Sequence, residues 1–361
     1  LSGLSAAAYL LKDSSDFEVT IFESADHLGG QASSWLDQDG DAIETGIHLD
    51  FPWYENKLQL YRDINSPLEL KETDGNYYIC NGHTDKIDVL YAGKSVAKTL
   101  YGLATFPGLS PSERFKLAKL FAKIVFKSDA KIERADEKSV VDFLTEEGAT
   151  FAMKRQLSLE TVTIQGLLPM EASAASFMKF LKTMYGSIGE WNTSFFQAPL
   201  AESLIAPLAD FIETRGGRIR LGEKVARVDC GELWTERGSY DADYIIVAVP
   251  AYLVPNLLPG PYKKERAFAR LGELRSAKVI TLQFWYENRV FPNGNIFISN
   301  RDRVIFDAVA DKAHHWGLSK DRGSIVQVLI DAADDIEYLS DKEIEEQARS
   351  DLARYFEGCR E

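Results

Sequence analysis

Gly3-Leu4-Ser5-Ala6-Ala7-Ala8-Tyr9-Leu10 stands at the head of the chain, and Glu18-Val19-Thr20-Ile21-Phe22-Glu23 follows it. The first run is rich in Ala and Leu and reads as a helix. The second is rich in β-branched residues and reads as a short strand ending on an acid. Gly3 and Glu23 are twenty positions apart. That is the second half of a glycine-rich βαβ fingerprint: a glycine where helix and strand pack closely, then a carboxylate that bonds a ribose hydroxyl. The helix N-terminus, with about half a positive charge, suits a pyrophosphate. The first two glycines of such a fingerprint would lie ahead of Leu1, so the chain reads as starting inside the motif. The competing reading makes Gly3 a plain loop glycine and Glu23 a solvated strand end.

Five residues after Glu23 come Gly29-Gly30. A double glycine lets backbone pass close to a bulky ligand. Nicotinamide dehydrogenases do not usually need that second loop; flavoproteins do. Asp39-Gly40-Asp41-Ala42-Ile43-Glu44-Thr45-Gly46-Ile47-His48 then reads as a hairpin followed by another glycine approach.

Working outward, 361 residues suggest about two domains. Hydrophobic residues at 45% exclude global disorder, and 20 Phe, 15 Tyr and 6 Trp suffice for a large core and an apolar cavity. A net charge of -14 argues against nucleic acid as partner. Cys80, Cys230 and Cys359 are too scattered for a disulfide framework or a zinc site. No run reaches a spanning helix of roughly 18 apolar residues. Tyr244 to Leu258 comes nearest and reads as a buried strand, Tyr244 to Val249, ending at Pro250. Helices are expected at 54–64, 113–126, 139–147, 170–185, 200–214 and 341–356, and a loop at 186–199. The helix-rich middle sits between two βα-type regions. An α/β architecture follows, with a discontinuous nucleotide-binding domain at 1–54 and 200–270. An inserted mixed α/β domain occupies 55–199 and 271–361.

The chain resembles the flavin-dependent amine oxidase and carotenoid desaturase superfamily, and within it the plant and cyanobacterial phytoene and zeta-carotene desaturases. The residues that carry this are Gly3-Leu4, Ala7 and Leu10, Glu23 with Gly29-Gly30, and Asp39 to His48. Arg215-Gly216-Gly217 with Ile219, Leu221 and Val225, and Asp243-Tyr244 with Val247 to Pro250, extend it. The resemblance implies a Rossmann-like FAD domain joined to a substrate domain. Glu23 would hold the adenosine ribose, Val225 would lie at the adenine, and Ala248 to Pro250 would run beside the flavin. Gly29, Gly30, Gln31, Gly46 and His48 would complete the cofactor set. Many relatives carry Lys or Arg where Gln31 stands, so a cation near the cofactor is absent. Relatives also have a second FAD segment that residues up to Glu361 do not supply, which implies a weaker hold on FAD.

Hydride acceptance by a flavin needs orientation and dryness from the protein more than acid or base. No catalytic side chain stands out. The expected substrate lining is aromatic: Phe51, Trp191, Phe196 and Trp285, with Trp53, Phe177, Phe180, Phe195 and Phe284 as further candidates. Each has plain core as its alternative. His48 either flanks the flavin or fills a hydrogen-bonded core position. His314-His315 lacks a third ligand at metal-binding spacing.

Between Lys94 and Arg134 stand nine basic and three acidic residues. Lys116, Lys119, Lys123 and Lys127 fall on one helical face, amid Phe115, Leu117, Leu120, Phe121, Ile124, Val125 and Phe126. A basic helix with bulky apolar residues, 113–127, suits peripheral contact with a membrane; an ordinary solvated surface helix is the alternative. The implied function is FAD-dependent desaturation of a polyene such as a carotenoid precursor, with quinone or oxygen as electron acceptor, in a plastid or bacterial cytoplasm. The alternatives are an amine or protoporphyrinogen-type oxidase, and a non-catalytic binding protein that keeps the fold.

Overall fold

A computed structural model describes residues 1–92, 95–186, 193–299 and 303–360, with Glu160 described by its backbone. In chain order the strands are β1 (Thr20–Phe22), β2 (Ser34–Leu36), β3 (Ala42–Glu44), β4 (Leu49–Asp50), β5 (Leu70–Glu72), β6 (Tyr77–Asn81), β7 (Lys86–Leu90) and β8 (Ser194–Phe196). They continue as β9 (Arg218–Arg220), β10 (Val225–Asp229), β11 (Glu232–Thr235), β12 (Gly238–Asp241), β13 (Ile280–Tyr286), β14 (Phe297–Ser299), β15 (Ala308–Asp311) and β16 (Ser324–Ile330). The first four long helices are α1 (Ser2–Asp13), α2 (Glu55–Asp63), α3 (Val96–Ala104) and α4 (Pro111–Val125).

Two compact units share the chain. The first holds Leu1–Thr45, Tyr54–Glu69 and Ala198–Ser276; the second holds Gly46–Trp53, Leu70–Gln197 and Ala277–Glu361. Both are discontinuous. The sequence boundary at 54/55 falls differently here: α2 clusters with the first unit, and 46–53 with the second.

In the first unit, α1 buries Leu4, Ala7, Ala8 and Leu11, the i, i+3, i+4, i+7 stripe of an amphipathic helix. It packs against the helix Ala206–Thr214. β1 pairs in parallel with β9, Thr20 opposite Arg218 and Phe22 opposite Arg220. β10, β11 and β12 form an antiparallel meander, and β2 and β3 a hairpin. The expected buried strand at Tyr244 to Val249 needs correction. The segment is extended but forms no ladder among the described residues. Tyr244 is 86% and Ile246 59% exposed. Its composition suits a central strand; without a hydrogen-bonded neighbour on either side, its apolar side chains remain in solvent.

The second unit carries two cores. A six-stranded mixed sheet has the order β13-β16-β15-β14-β6-β7. Val326, Val328 and Ile330 alternate onto one face of β16, where they join Phe284, Phe297 and the Ile344, Ala348 and Leu352 stripe of the helix Asp341–Tyr355. The other core is helical: Leu117, Leu120, Phe121 and Ile124 of α4 meet Phe177, Met178 and Leu181 of the helix Ala174–Gly186. Ser110 and Glu113 close a capping box at the start of α4, and Pro111 takes the first helical position. The region 186–199, expected to be a loop, contains β8, which pairs with both β4 and β5.

Candidate nucleotide-binding site

The first unit brings together most of the residues expected around a dinucleotide. Gly3 lies in the first turn of α1, where a Cβ would stand 3.4 Å from the Cβ of Ala248. The absent side chain leaves the helix start open beside the Ala248 to Pro250 strip. Glu23 follows the last residue of β1. Its amide donates to the Arg220 carbonyl at 2.9 Å, and its own carbonyl accepts from the Glu223 amide at 2.9 Å. These bonds prolong the β1–β9 pairing and set Val225 two residues beyond the Glu23 partner. The Glu23 carboxylate is half-buried, and both the Ala25 amide (2.9 Å) and the Ser24 hydroxyl (3.2 Å) donate to its Oε1.

The double-glycine loop has a different constraint at each position. Gly29 has φ +122°, and a Cβ there would meet the Ala32 carbonyl oxygen at 2.8 Å. Gly30 has φ +64° with nothing within 4 Å of a Cβ, so its backbone faces open space. Both lie in the left-handed region that favours glycine. Two hydroxyls hold this loop. Ser33 Oγ donates to the Leu28 carbonyl at 2.9 Å, and Thr45 Oγ1 donates to the Gln31 carbonyl at 2.8 Å. Exposed Gln31 is thereby anchored through its backbone. An open helix start, a half-exposed carboxylate at a strand end and an exposed glycine backbone fit the adenosine diphosphate end of a flavin nucleotide.

The second unit holds the remaining candidates. Gly46 is buried, and a Cβ there would touch His48 and Leu329 of β16, each at 3.6 Å. His48 Nδ1 lies 3.0 Å from the Gly46 carbonyl oxygen, a local hydrogen bond that fixes the imidazole. Phe51 is buried and stacks on Trp53, ring centroids 4.7 Å apart. Phe196 is buried within β8, and Trp285 on β13 is 44% exposed. Trp191 lies outside the described residues. Phe177 and Phe284 sit in the two cores, so plain packing accounts for both. His315 stacks on Phe195 at 3.5 Å, and its Nε2 lies 2.9 Å from the Gly294 carbonyl oxygen.

Several supporting groups had no signal in the sequence. Glu44 Oε1 accepts from the Leu200 amide (2.9 Å), and Ser34 Oγ accepts from the Ala201 amide (2.7 Å). The β2–β3 hairpin thus bonds the first amides of the helical stretch after Pro199, which starts as a π-helical turn at Ala201–Ile205. The buried Glu223 carboxylate accepts from Tyr240 (2.7 Å) and Thr235 (2.8 Å), with Arg237 and Arg220 at 3.5 and 3.6 Å. Burial opposes its ionised form, but those bonds and cations outweigh it and hold the carboxyl below the usual Glu value. Asp311 has a similar place in the second unit: Ser324 Oγ (2.7 Å) and the amides of Ala313 and Ile325 (3.0 Å each) donate to it, beside Arg289 at 3.3 Å. Apart from Arg220, three residues before Glu223, these partners lie more than ten residues away in the chain or are backbone amides, so local spacing does not reveal either acid.

A helix leading into a parallel strand, an acid at the strand end and a glycine loop after it match the dinucleotide-binding class of two-unit flavoproteins. The chain belongs to the flavin-containing amine oxidoreductase family, which matches residues 1–361. It is 24% identical to a 15-cis-phytoene desaturase of Capsicum annuum, covering 99% of this chain and 63% of that protein. It is 22% identical to a probable zeta-carotene desaturase of Synechococcus elongatus, over 100% of this chain and 83% of that protein. Among solved structures, cyclohexylamine oxidase from Brevibacterium oxydans superposes with a TM-score of 0.70 at 18% identity, covering 99% of this chain and 80% of that one. That likeness establishes a shared fold.

Proposed function

We propose that this protein is an FAD-dependent oxidoreductase that desaturates an apolar polyene. The observation that carries the cofactor reading is that one unit holds Gly3 against Ala248, Glu23 at the end of β1, and the Gly29-Gly30 loop, whose Gly29 carbonyl accepts from the Leu1 amino group. Gly3 leaves the helix start free for the pyrophosphate, Glu23 accepts from ribose hydroxyls, and Val225 lies on the adenine side. When bound, FAD supplies the hydride acceptor, and quinone or oxygen would reoxidise it. The substrate reading is supported by the desaturase relatives and by aromatic Phe51, Phe196 and Trp285. It would place the enzyme in a plastid or a bacterial cytoplasm.

The test has two arms. Purified protein should show yellow flavin absorbance that bleaches anaerobically on adding phytoene in micelles and not on adding putrescine. Bleaching by the amine alone would transfer the protein to the amine oxidases, and colourless protein that takes up no FAD would reduce it to a binding module. In the second arm, Glu23→Ala should weaken FAD binding about tenfold, the worth of a hydrogen bond to a charged group. Unchanged FAD affinity would remove Glu23 from the ribose.

A further inference from the structure

α4 has two apolar stripes, and among the described residues only one is packed against the rest of the protein. Leu117, Leu120, Phe121 and Ile124 face the helical core. Phe115, Ala122 and Phe126 recur at i, i+7 and i+11 and so lie along one line on the opposite side. Phe115 is 74% and Phe126, the capping residue, 88% exposed. Two bare phenyl rings at the solvent pole of a helix are not explained by packing.

The surroundings repeat the pattern. α3 packs on α4, and Arg114 joins them by donating to the Phe106 and Ala104 carbonyls at 3.0 Å. α3 also leaves Val96, Leu100 and Tyr101 more than half exposed. Thr150 donates to Glu113 at 2.6 Å, which brings the exposed Phe151 to the start of α4. Exposed Lys116 and Lys119 flank the phenyl line. The four-lysine face read from the sequence narrows to these two: Lys123 pairs with Glu147 at 2.6 Å, and Lys127, past the helix end, lies over the Phe143 ring. In a chain of net charge -14, residues 94–134 still carry nine basic against three acidic groups.

We propose that the α3–α4 face docks on an anionic lipid surface. Phe115, Phe126 and Leu100 enter the acyl boundary, while Lys116 and Lys119 meet headgroup phosphates. The local positive charge on an acidic protein selects this occupant over a second copy of the chain, whose overall charge would repel. Contact is peripheral: no helix among the described residues is long and apolar enough to cross a membrane. The inference stands apart from the flavin reading, and its failure would leave the flavin spectrum unchanged.

Co-sedimentation of the full chain with vesicles tests it. The parent should bind vesicles of phosphatidylcholine mixed with phosphatidylglycerol and bind poorly to phosphatidylcholine alone. F115S/F126S should bind at least about tenfold more weakly, the worth of one buried phenyl ring. K116Q/K119Q should lose about tenfold on the mixed vesicles and little on the neutral ones. All four substitutions lie on exposed positions, and far-UV circular dichroism checks that folding is intact. Equal binding by the phenylalanine pair and the parent, or no binding of the parent to mixed vesicles, overturns the proposal. So does a parent dimer that F115S/F126S dissociates without any vesicle binding; the stripe would then belong to a second copy.

Discussion

His315 is a base held where it cannot accept a proton cheaply. Burial, with Lys312 beside it, pushes its pKa well below the ordinary histidine value. In the unfolded chain the same ring titrates near its ordinary value of 6.5. Below that pH the unfolded state takes up a proton that the native state refuses, so stability falls as pH falls. The slope is about 1.4 kcal/mol per pH unit for one such group, and it is absent above the unfolded value. Urea unfolding at pH 7, 6 and 5 should show this loss in the parent, and His315→Gln should flatten it. An unchanged slope in the variant would assign the pH dependence to other groups. The sequence showed only an isolated His-His pair; the stacking on Phe195 that buries the ring comes from more than a hundred residues away in the chain. Glu23, Gly29 and Gly30 can be singled out in the sequence because their spacing is local. Glu223 and Asp311 cannot, because most of their partners, Thr235 and Tyr240 for the first and Arg289 and Ser324 for the second, come from farther along the chain.

At the level of elements, α4 was readable from its period: the helix expected at 113–126 stands at Pro111–Val125. Its start was not read: Ser110-Pro111-Ser112-Glu113 lies ahead of the expected boundary, and the structure shows the reciprocal capping bonds there. α3 and the helix Phe151–Gln165 escaped the reading. The latter has polar residues on every side, so periodicity had little to detect. The exposed Tyr244 to Val249 segment shows the opposite error, since a β-branched apolar run specifies a strand only where a neighbour supplies hydrogen bonds. The two faces of α4 should separate in a mutational test. Leu117→Ala, in the helical core, should cost about 2–5 kcal/mol in unfolding free energy. Phe115→Ser, on the outer line, should stay within about 0.5 kcal/mol of the parent. Comparable losses at both positions in denaturant titrations would mean that the outer stripe is packed after all.

For the molecule as a whole, chain connectivity rather than composition sets what can fold alone. The chain passes between the two units at 45/46, 53/54, 69/70, 197/198 and 276/277. The sequence has a helix-rich middle between two βα-type regions, and both units of the structure are discontinuous. The strand order of the second unit is not legible in the sequence. Its sheet joins β6 to β14 in parallel, Tyr78 opposite Phe297, across more than two hundred residues of chain, and no local pattern encodes such a pairing. This register has a consequence for dissection. A fragment of residues 70–197 keeps α4 and its helical core but loses β13 to β16, leaving β6 with β7 as an isolated hairpin. A lone hairpin is marginal in water, and its open edge invites pairing with another chain. Expressed alone, 70–197 should be helical by circular dichroism yet self-associate. Co-expression with 277–361 should return the β6 edge to β14 and yield a discrete one-to-one complex by size-exclusion chromatography. If 70–197 alone elutes as a stable monomer, the sheet pairing contributes little and the helical core is an independent domain.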